Sequence, residues 1–293
     1  MRRRDYRRGL RLLLVPYVLG ATLLVVLPAL ASFAFAFTRF DGIGSPRWDG
    51  LDVFRDLFVS PEFHDSVRAT AVVAAIAVPL RVVGAVAFAL LLHRRSERLA
   101  ASGRVAAFAP VVVPDAATAL VWLWVVNPVY GPLGIAARAL GFDAGPLLLD
   151  PWRARGVVIA ISALALGEGF LVVLAARREL PSAVYDVARL EGAGAWQTFR
   201  RVTLPLLLPV LAFLVVRDTV ASVQVPLVPT LVLTEGGPLN ATKTLPVLVY
   251  EKGFAELRFG DAAAVAMLMF ALALAVAAVQ LLFLRRRLRW SAK

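Results

Sequence analysis

Cysteine is absent from this 293-residue chain, and histidine occurs only twice. The lack of cysteine excludes disulfide bonds, thiolate metal sites and a cysteine nucleophile. The two histidines, His64 and His93, lie far apart in sequence, and we expect both in solvated loops rather than in a metal or catalytic site. No Gly-Lys pair occurs either, which excludes the phosphate-binding loop G-x-x-x-x-G-K-[ST] as a means of holding ATP.

The chain has few charges within its long apolar runs. Hydrophobic residues make up 60% of it and the mean hydropathy is +0.76, whereas a soluble domain has about 45–50% apolar residues. A bilayer core of about 30 Å takes about 20 helical residues, and six runs reach about that length. We therefore predict an all-α membrane protein with one transmembrane domain over residues 1–293 and spans at about 10–37, 70–92, 105–126, 157–175, 204–225 and 262–284.

Arginine is distributed unevenly, and its positions predict the orientation of the spans. Six arginines lie in residues 1–11, four in 93–104 and five in 176–202, and four more precede Lys293 after the last run. Such clusters mark cytoplasmic loops, so we expect both termini in the cytoplasm, in a bacterial or archaeal plasma membrane. The first run is too long for a signal-peptide core, and we interpret it as a retained span. The net charge of +12 thus follows from membrane orientation, and we expect no nucleic-acid partner.

The loop 179–203 between the fourth and fifth runs has the pattern of a helical hairpin. Pro181 ends one segment, and Ser182 can cap the next helix. Gly192 permits a turn that a side chain would resist, and a second short helix is expected from Ala195 to Arg201. Composition leaves two interpretations open. The hairpin lies on lipid headgroups, or it is held by a partner protein.

The spacing of this loop carries a resemblance. Asp186-Val187-Ala188 is followed after three residues by Gly192, and after nine more by Val202-Thr203-Leu204-Pro205. This arrangement is similar to the EAA loop, E-A-A-x3-G-x9-I-x-L-P, of permease subunits of binding-protein-dependent ABC sugar importers, of the maltose and glycerol-3-phosphate type. Three further segments resemble that family's xNFxxLF, WxxLFxPxxG and LTxGGP elements, and they are Leu51 to Phe58, Trp122 to Gly131, and Leu233 to Pro238.

The resemblance implies a six-helix bundle of the type I importer (MetI-like) kind. It implies a second homologous permease, two copies of an ABC ATPase and an extracytoplasmic solute-binding protein as partners, besides the lipid bilayer. ATP and Mg would be bound by the ATPase, so we expect neither a cofactor nor an enzymatic activity in this chain. The residues implied to couple to the ATPase are Asp186, Val187, Ala188, Glu191, Gly192, Ala193, Trp196, Leu204 and Pro205, and those implied in an external loop are Glu235, Gly236, Gly237 and Pro238.

Five charged residues fall inside the predicted spans, where each costs about 2.5–3.5 kcal/mol on insertion scales. They are Arg81, Asp115, Glu168, Arg217 and Asp218. Arg81 and Asp115 are expected at one depth, and Glu168 and Arg217–Asp218 at another. Two interpretations remain open: these residues, with Gln224, line the translocation path or its gate, or they form structural ion pairs between helices.

Two other kinds of transporter and a membrane enzyme are alternatives. An ion-coupled secondary transporter would show paired half-sequences with inverted repeats, and no such self-similarity is seen. A membrane-embedded enzyme would need His, Asp or Ser clustered within the spans. An ABC permease for a non-sugar solute differs mainly in the LTxGGP and tryptophan elements. The sequence therefore favours a permease subunit that forms, with a second permease, the path for a sugar or related carbohydrate.

Overall fold

The computed structural model describes residues 13–93, 97–142, 145–224 and 227–291. The N-terminal arginines, residues 10–12 of the first predicted span, Arg94, Arg95 and Val225 lie outside this part of the chain. The side chains of His93, residues 97–100, Gln224 and residues 285–291 lie outside it too.

Helices make up most of the described chain. In chain order they are α1 (Leu13–Phe35), α2 (Asp52–Val59), α3 (Pro61–His93), α4 (Glu97–Val112), α5 (Asp115–Val125), α6 (Pro132–Ala139), α7 (Pro151–Leu164), α8 (Gly167–Arg178), α9 (Ser182–Leu190), α10 (Ala195–Thr198), α11 (Leu204–Gln224), α12 (Leu227–Thr234), α13 (Leu245–Tyr250) and α14 (Phe259–Ser291). Both histidines belong to α3, so the expectation of loop positions was wrong; His64 lies in its first turn, and its side chain is exposed.

Four helices are long and apolar enough to cross a membrane, at Leu13–Phe35, Pro61–Leu92, Ala195–Val223 and Phe259–Leu284. Two further spans are possible if each of two bent helix pairs counts as one. The protein is therefore a multi-pass membrane protein with an all-α transmembrane part of four to six spans.

The segment predicted as the third span is divided into α4 and α5, which meet at an angle of 103°. Pro114 stands between them as the residue before α5. Proline disfavours the helical conformation at the residue before it, and it donates no backbone hydrogen bond. The sequence chemistry therefore explains why a 22-residue apolar run does not form one straight helix.

The fourth span is also broken, by 41°, between α7 and α8. α7 begins at Pro151 because Asp150 accepts hydrogen bonds from the backbone N–H groups of Trp152 (3.1 Å) and Arg153 (2.8 Å), an N-cap followed by proline. It ends in a tight turn in which the Leu166 N–H donates to the Leu164 carbonyl at 2.8 Å.

The chain divides into two compact units. The first comprises residues 13–61 and Leu248–Phe270. In it, β1 (Thr38–Arg39) and β2 (Arg47–Trp48) form a short antiparallel hairpin, which was not expected from the sequence. Arg39 donates to Asp49 at 2.7 Å and to Asp56 of α2 at 2.9 Å, so its guanidinium joins this hairpin to α2.

The second unit comprises Glu62–Val247 and residues 271–291. Its largest apolar cluster joins α3, α4, α8 and α11, and Phe170, Leu207 and Leu214 are fully buried within it. A smaller cluster joins α5, α7 and α12 around Ala119, Ile161 and Leu233. The first cluster packs α4 and α8 of the broken spans against the continuous helices α3 and α11, and the second packs α5 and α7 against the short helix α12.

Candidate functional site

The hairpin 179–203 consists of α9, a glycine turn and α10, as its sequence pattern predicts. α9 begins at Ser182 with Pro181 as its N-cap residue, and no side chain caps it. The expected cap by Ser182 was therefore wrong, because Ser182 is already the first helical residue. Asp186 lies in the second turn and forms an ion pair of 3.6 Å with Arg189, three residues on.

Gly192 ends α9 in the left-handed backbone conformation, with φ of +73°. The Ala193 N–H donates to the Ala188 carbonyl at 2.9 Å and the Gly192 N–H donates to the Arg189 carbonyl at 3.0 Å. This pair of bonds is the Schellman motif, in which glycine is favoured because a Cβ would be strained. A Cβ at Gly192 would meet no atom within 4 Å, so its backbone angle, not crowding, requires glycine.

The second helix of the hairpin is shorter than the expected 195–201. α10 ends at Thr198 and continues without interruption through the wide turn Phe199–Thr203 into α11, which opens with Leu204-Pro205. The wide turn has π-helical hydrogen bonding, which accommodates an extra residue. The hairpin is thus joined to a membrane-crossing helix by an unbroken helical backbone.

One surface of the hairpin is apolar and unusually exposed. Val187 is 54% exposed, Leu190 88% and Trp196 69%, while Asp186, Arg189 and Glu191 are exposed charged neighbours. Ala188 is buried, and Ala193 is half-buried. Exposed large apolar side chains framed by charges are typical of a surface that contacts another protein or a membrane.

Three of the charged residues predicted inside spans come together. Arg217 of α11 forms ion pairs with Glu168 of α8 and, at 3.6 Å, with its neighbour Asp218. The side chain of Asp218 is buried, whereas that of Glu168 is 55% exposed and that of Arg217 34%. The cluster therefore joins the start of α8, just past its break, to the middle of α11.

Arg81 lies in the same region, but its hydrogen bonds go to the backbone. Its side chain is buried and donates from Nε (3.1 Å) and Nη2 (2.6 Å) to the carbonyl oxygen of Ser162, in the last turn of α7. That carbonyl belongs to a helix end, where the last four carbonyls lack helical partners. Arg81 also interacts electrostatically with Asp218. Asp115 is exposed at the start of α5, and no contact of Arg81 with it is present among the described residues.

A cavity of about 330 Å³ opens beside both helix breaks. Its polar lining groups are Asp115, Thr118, Trp122 and Ser162, and its apolar ones include Phe88, Pro110 and Leu166. Non-helical backbone at membrane depth is tolerated where it lines a cavity or is buried in protein. The cavity therefore lies where both spans are broken, and residues next to each break line it.

The loop after α12, residues 235–247, is fixed to the second unit by polar contacts. Lys243 donates to Glu62 at 2.7 Å, the Leu245 N–H donates to Thr70 at 2.8 Å, and Arg155 donates to the Ala241 carbonyl at 2.6 Å. Gly236 adopts φ of +86° and a Cβ there would lie 3.1 Å from Lys243, so glycine allows the close approach. Glu235 is exposed, Gly236 is buried, and Gly237 and Pro238 are half-buried.

Sequence reasoning missed two of these features. Lys243 is the one cation in the stretch 239–250, and its neighbours there are buried. A lysine in such surroundings normally has an acidic partner, so its isolation in this stretch could have indicated an ion pair. The contact of Arg81 with a backbone carbonyl had no such signal, because its partner is not a side chain. Among the described residues, no group of three His, Cys, Asp or Glu could hold a metal ion.

Comparison with known proteins gives a consistent result. A family model described as "Binding-protein-dependent transport system inner membrane component" matches residues 82–289. The sn-glycerol-3-phosphate transport system permease protein UgpA of Brucella abortus is 28% identical over 284 residues, 95% of each chain. The sulfoquinovosyl glycerol transport system permease protein SmoG of Agrobacterium fabrum is 26% identical over 94% of this chain and 90% of its own.

A solved structure shares the fold. It is a chain of a bacterial ABC transporter involved in the import of the acidic polysaccharide alginate, with a TM-score of 0.82 at 21% identity over 97% of this chain and 98% of that one. The bundle with two broken spans is therefore the fold of an ABC importer permease.

Proposed function

Because the chain belongs to the family of inner membrane components of binding-protein-dependent transport systems, we propose that it is the permease subunit of an ATP-driven importer for a sugar or related carbohydrate. The relatives UgpA and SmoG are permease proteins of transport systems for sn-glycerol-3-phosphate and sulfoquinovosyl glycerol. The solved structure with the shared fold belongs to a transporter involved in the import of the polysaccharide alginate. The substrates of these transporters all carry hydroxyl groups and an acidic group or a sugar, which supports this substrate class.

One observation carries the proposal of a shared path. Glu168 and Arg217 form an ion pair inside predicted spans, yet their side chains are 55% and 34% exposed in the isolated chain. Charges at this depth face a bundle interior or a water-filled cavity rather than lipid. A second homologous permease packed against this surface would enclose the pair, and the enclosed space would form the path together with Asp115, Asp218 and Gln224.

We propose that the exposed hairpin is the element on which the ATPase acts. Two copies of an ABC ATPase would bind ATP and Mg, and one copy would hold the coupling surface, which we define as Val187, Leu190, Trp196 and their charged neighbours Asp186 and Glu191. This chain then needs no cofactor and catalyses no reaction. From the arginine clusters we infer that the hairpin and both termini lie in the cytoplasm, and that loop 235–247 faces an extracytoplasmic solute-binding protein.

The mechanism we infer is alternating access. Closure of the ATPases on ATP moves the two hairpins together, and the unbroken helical connection carries the motion from α10 into α11. The helix bundle turns as a rigid body and opens the path toward the binding protein. Hydrolysis returns it to the inward-open state. The ion-coupled alternative lacks support from the family match.

The test is co-purification of an ATPase with the chain from membranes. Gly192→Val forces a β-branched residue into the left-handed conformation and should distort the hairpin, so that the ATPase is lost. The matched control is Gly141→Val, since Gly141 has φ of +78° and likewise no atom within 4 Å of a Cβ. It should retain the ATPase. Equal retention by both variants would contradict the coupling role.

A further inference from the structure

Tyr185 is the side chain through which α9 contacts both neighbouring spans. It is buried, at 8% exposure, although most of α9 is exposed. The guanidinium carbon of Arg177, in the last turn of α8, lies 4.1 Å from the centre of its ring. On its other end, the Tyr185 hydroxyl is 3.2 Å from Oγ1 of Thr203, in the wide turn that leads into α11.

Both contacts suit the chemistry of a tyrosine side chain. Tyrosine combines an apolar ring with a polar tip that seeks a partner when buried, and an arginine over its face is an attractive contact. Thr203 is also buried. One residue of α9 is thus bonded to α8 through its ring and to the base of α11 through its hydroxyl.

The covalent connection of α9 offers no comparable stiffness. Gly192 and Gly194 flank the turn between α9 and α10, and a Cβ at either would meet no atom within 4 Å. A nine-residue helix is too short to be stable on its own. Side-chain contacts with the neighbouring helices therefore help to hold α9 in position.

We propose that Tyr185 is a positioning residue that locks the coupling helix α9 to α8 and α11 at the same time, so that a push on α9 moves both spans. We define the contacts Arg177–Tyr185–Thr203 as the latch. This inference rests on the proposed function, since it concerns the transmission of a push from the ATPase. It adds that α8, the span that carries Glu168 beyond the break, receives the motion directly rather than only through α11.

The existence of the latch is tested on the chain alone in lipid nanodiscs, by amide hydrogen exchange of residues 182–203. Tyr185→Leu removes both contacts and should speed exchange in α9 by about tenfold or more. Tyr185→Phe and Thr203→Val each remove only the hydrogen bond between the two hydroxyl groups, so each should speed exchange in α9 less than Tyr185→Leu does. The double variant should speed exchange no more than either single variant, because both remove the same bond. Tyr130→Leu, the same change at an exposed tyrosine, should leave α9 unaltered. Unchanged exchange in Tyr185→Leu would overturn the latch.

Transmission is tested in the complex with its ATPase. The chain has no cysteine, so Leu171→Cys in α8 and Leu208→Cys in α11 are the only sites in it that take a spin label, and any cysteines of the partner subunits are replaced first. Trapping with ADP, vanadate and Mg should leave the distance between the labels nearly unchanged in the parent chain, because the latch makes α8 and α11 move together. In Tyr185→Leu the same trapping should change this distance while ATPase co-purification stays within twofold, and Tyr185→Phe should restore most of the parent behaviour.

A distance that stays unchanged on trapping in Tyr185→Leu, as in the parent chain, would overturn transmission through the latch. Loss of the ATPase from the parent chain is a different result. It would contradict the proposed function, while the exchange measurement would still decide whether the latch exists.

Discussion

The guanidinium of Arg81 donates two hydrogen bonds, of 2.6 and 3.1 Å, to the carbonyl oxygen of Ser162 at the end of α7. A charged side chain thereby satisfies a helix end that the break in the fourth span leaves open. A cation near a helix C-terminus is also favoured by the helix dipole. The broken span is therefore built around Arg81, and the structure favours a structural role for this residue.

The first prediction concerns this contact. Arg81→Met leaves the buried Ser162 carbonyl without its partner and should destabilise the fold by about 2 kcal/mol, the usual effect of a lost hydrogen bond to a charged group. We expect less assembled complex, a lower unfolding temperature and loss of uptake together. Arg81→Lys keeps the charge but not the two-pronged geometry, and should be intermediate. Normal assembly with abolished uptake would instead assign Arg81 to the path.

The second prediction concerns the ion pair of Glu168 with Arg217. Because both side chains are partly exposed, Glu168→Gln and Arg217→Gln should assemble with partner subunits to near wild-type levels. Each should slow uptake of the carbohydrate delivered by the binding protein by about tenfold, since either change leaves the charges of Glu168, Arg217, Asp218 and Arg81 no longer balanced.

The exchanged pair, Glu168→Arg with Arg217→Glu, supplies the control. It keeps both charges but sets a carboxylate beside Asp218, so it should recover only part of the uptake that Glu168→Arg alone loses. If the exchanged pair transports no better than that single variant, the pairing does not matter for transport.

The third prediction concerns the anchor of loop 235–247. Lys243→Met should raise the rate at which an added protease cuts this loop, because Glu62 loses its 2.7 Å partner. Glu62→Gln should raise the cleavage rate similarly. In the double variant Glu62→Gln with Lys243→Met, the increase in cleavage rate should be smaller than the sum of the two single increases, because both changes remove the same ion pair. Protection equal to the parent chain in Lys243→Met would show that the other anchors, at Thr70 and Arg155, suffice.

The fourth prediction is a pH dependence in the β-hairpin of the first unit. Asp41 accepts backbone hydrogen bonds from Ile43 (3.2 Å) and Gly44 (3.1 Å), and these lower the pKa of its carboxyl group below the ordinary value. A lowered pKa means that this stabilisation is present at neutral pH and is lost as the pH falls through the folded-state pKa.

The measurement is the amide chemical shift of Gly44 during an acid titration. The midpoint of this titration should lie below 3.8, the ordinary pKa of an aspartate side chain. Asp41→Asn retains an acceptor oxygen and should abolish the titration while keeping the turn. A midpoint at or above the ordinary value would contradict the bonding seen here.

Much of the fold follows from the sequence, and the exceptions have physical causes. Hydropathy indicates the apolar segments, and the left-handed turn at Gly192 follows from its place after an amphipathic helix. The 103° bend at Pro114 was not predicted, because prolines in membrane helices commonly cause only kinks, and neighbouring helices decide how far the chain turns. The hairpin β1–β2 was missed because two-residue strands leave no alternation to detect.

The charged residues show the same limit. Glu168 and Arg217 were expected at one depth, and they form a pair. Arg81 was expected at the depth of Asp115, yet its hydrogen-bond partner is a backbone carbonyl that exists only because α7 ends there. Depth along the chain can be estimated from residue counts, whereas the partner depends on where a neighbouring helix breaks.

The wide turn Phe199–Thr203 sets the direction in which the hairpin faces. Successive residues of an α-helix are rotated by about 100° around its axis. Deleting one residue from this turn would leave the helix intact but swing Trp196 about a quarter of the way around it, and an added residue would swing it the opposite way. Two permeases whose turns differ in length by one residue would therefore present different sides of the hairpin to the ATPase, even if the hairpin sequences were identical.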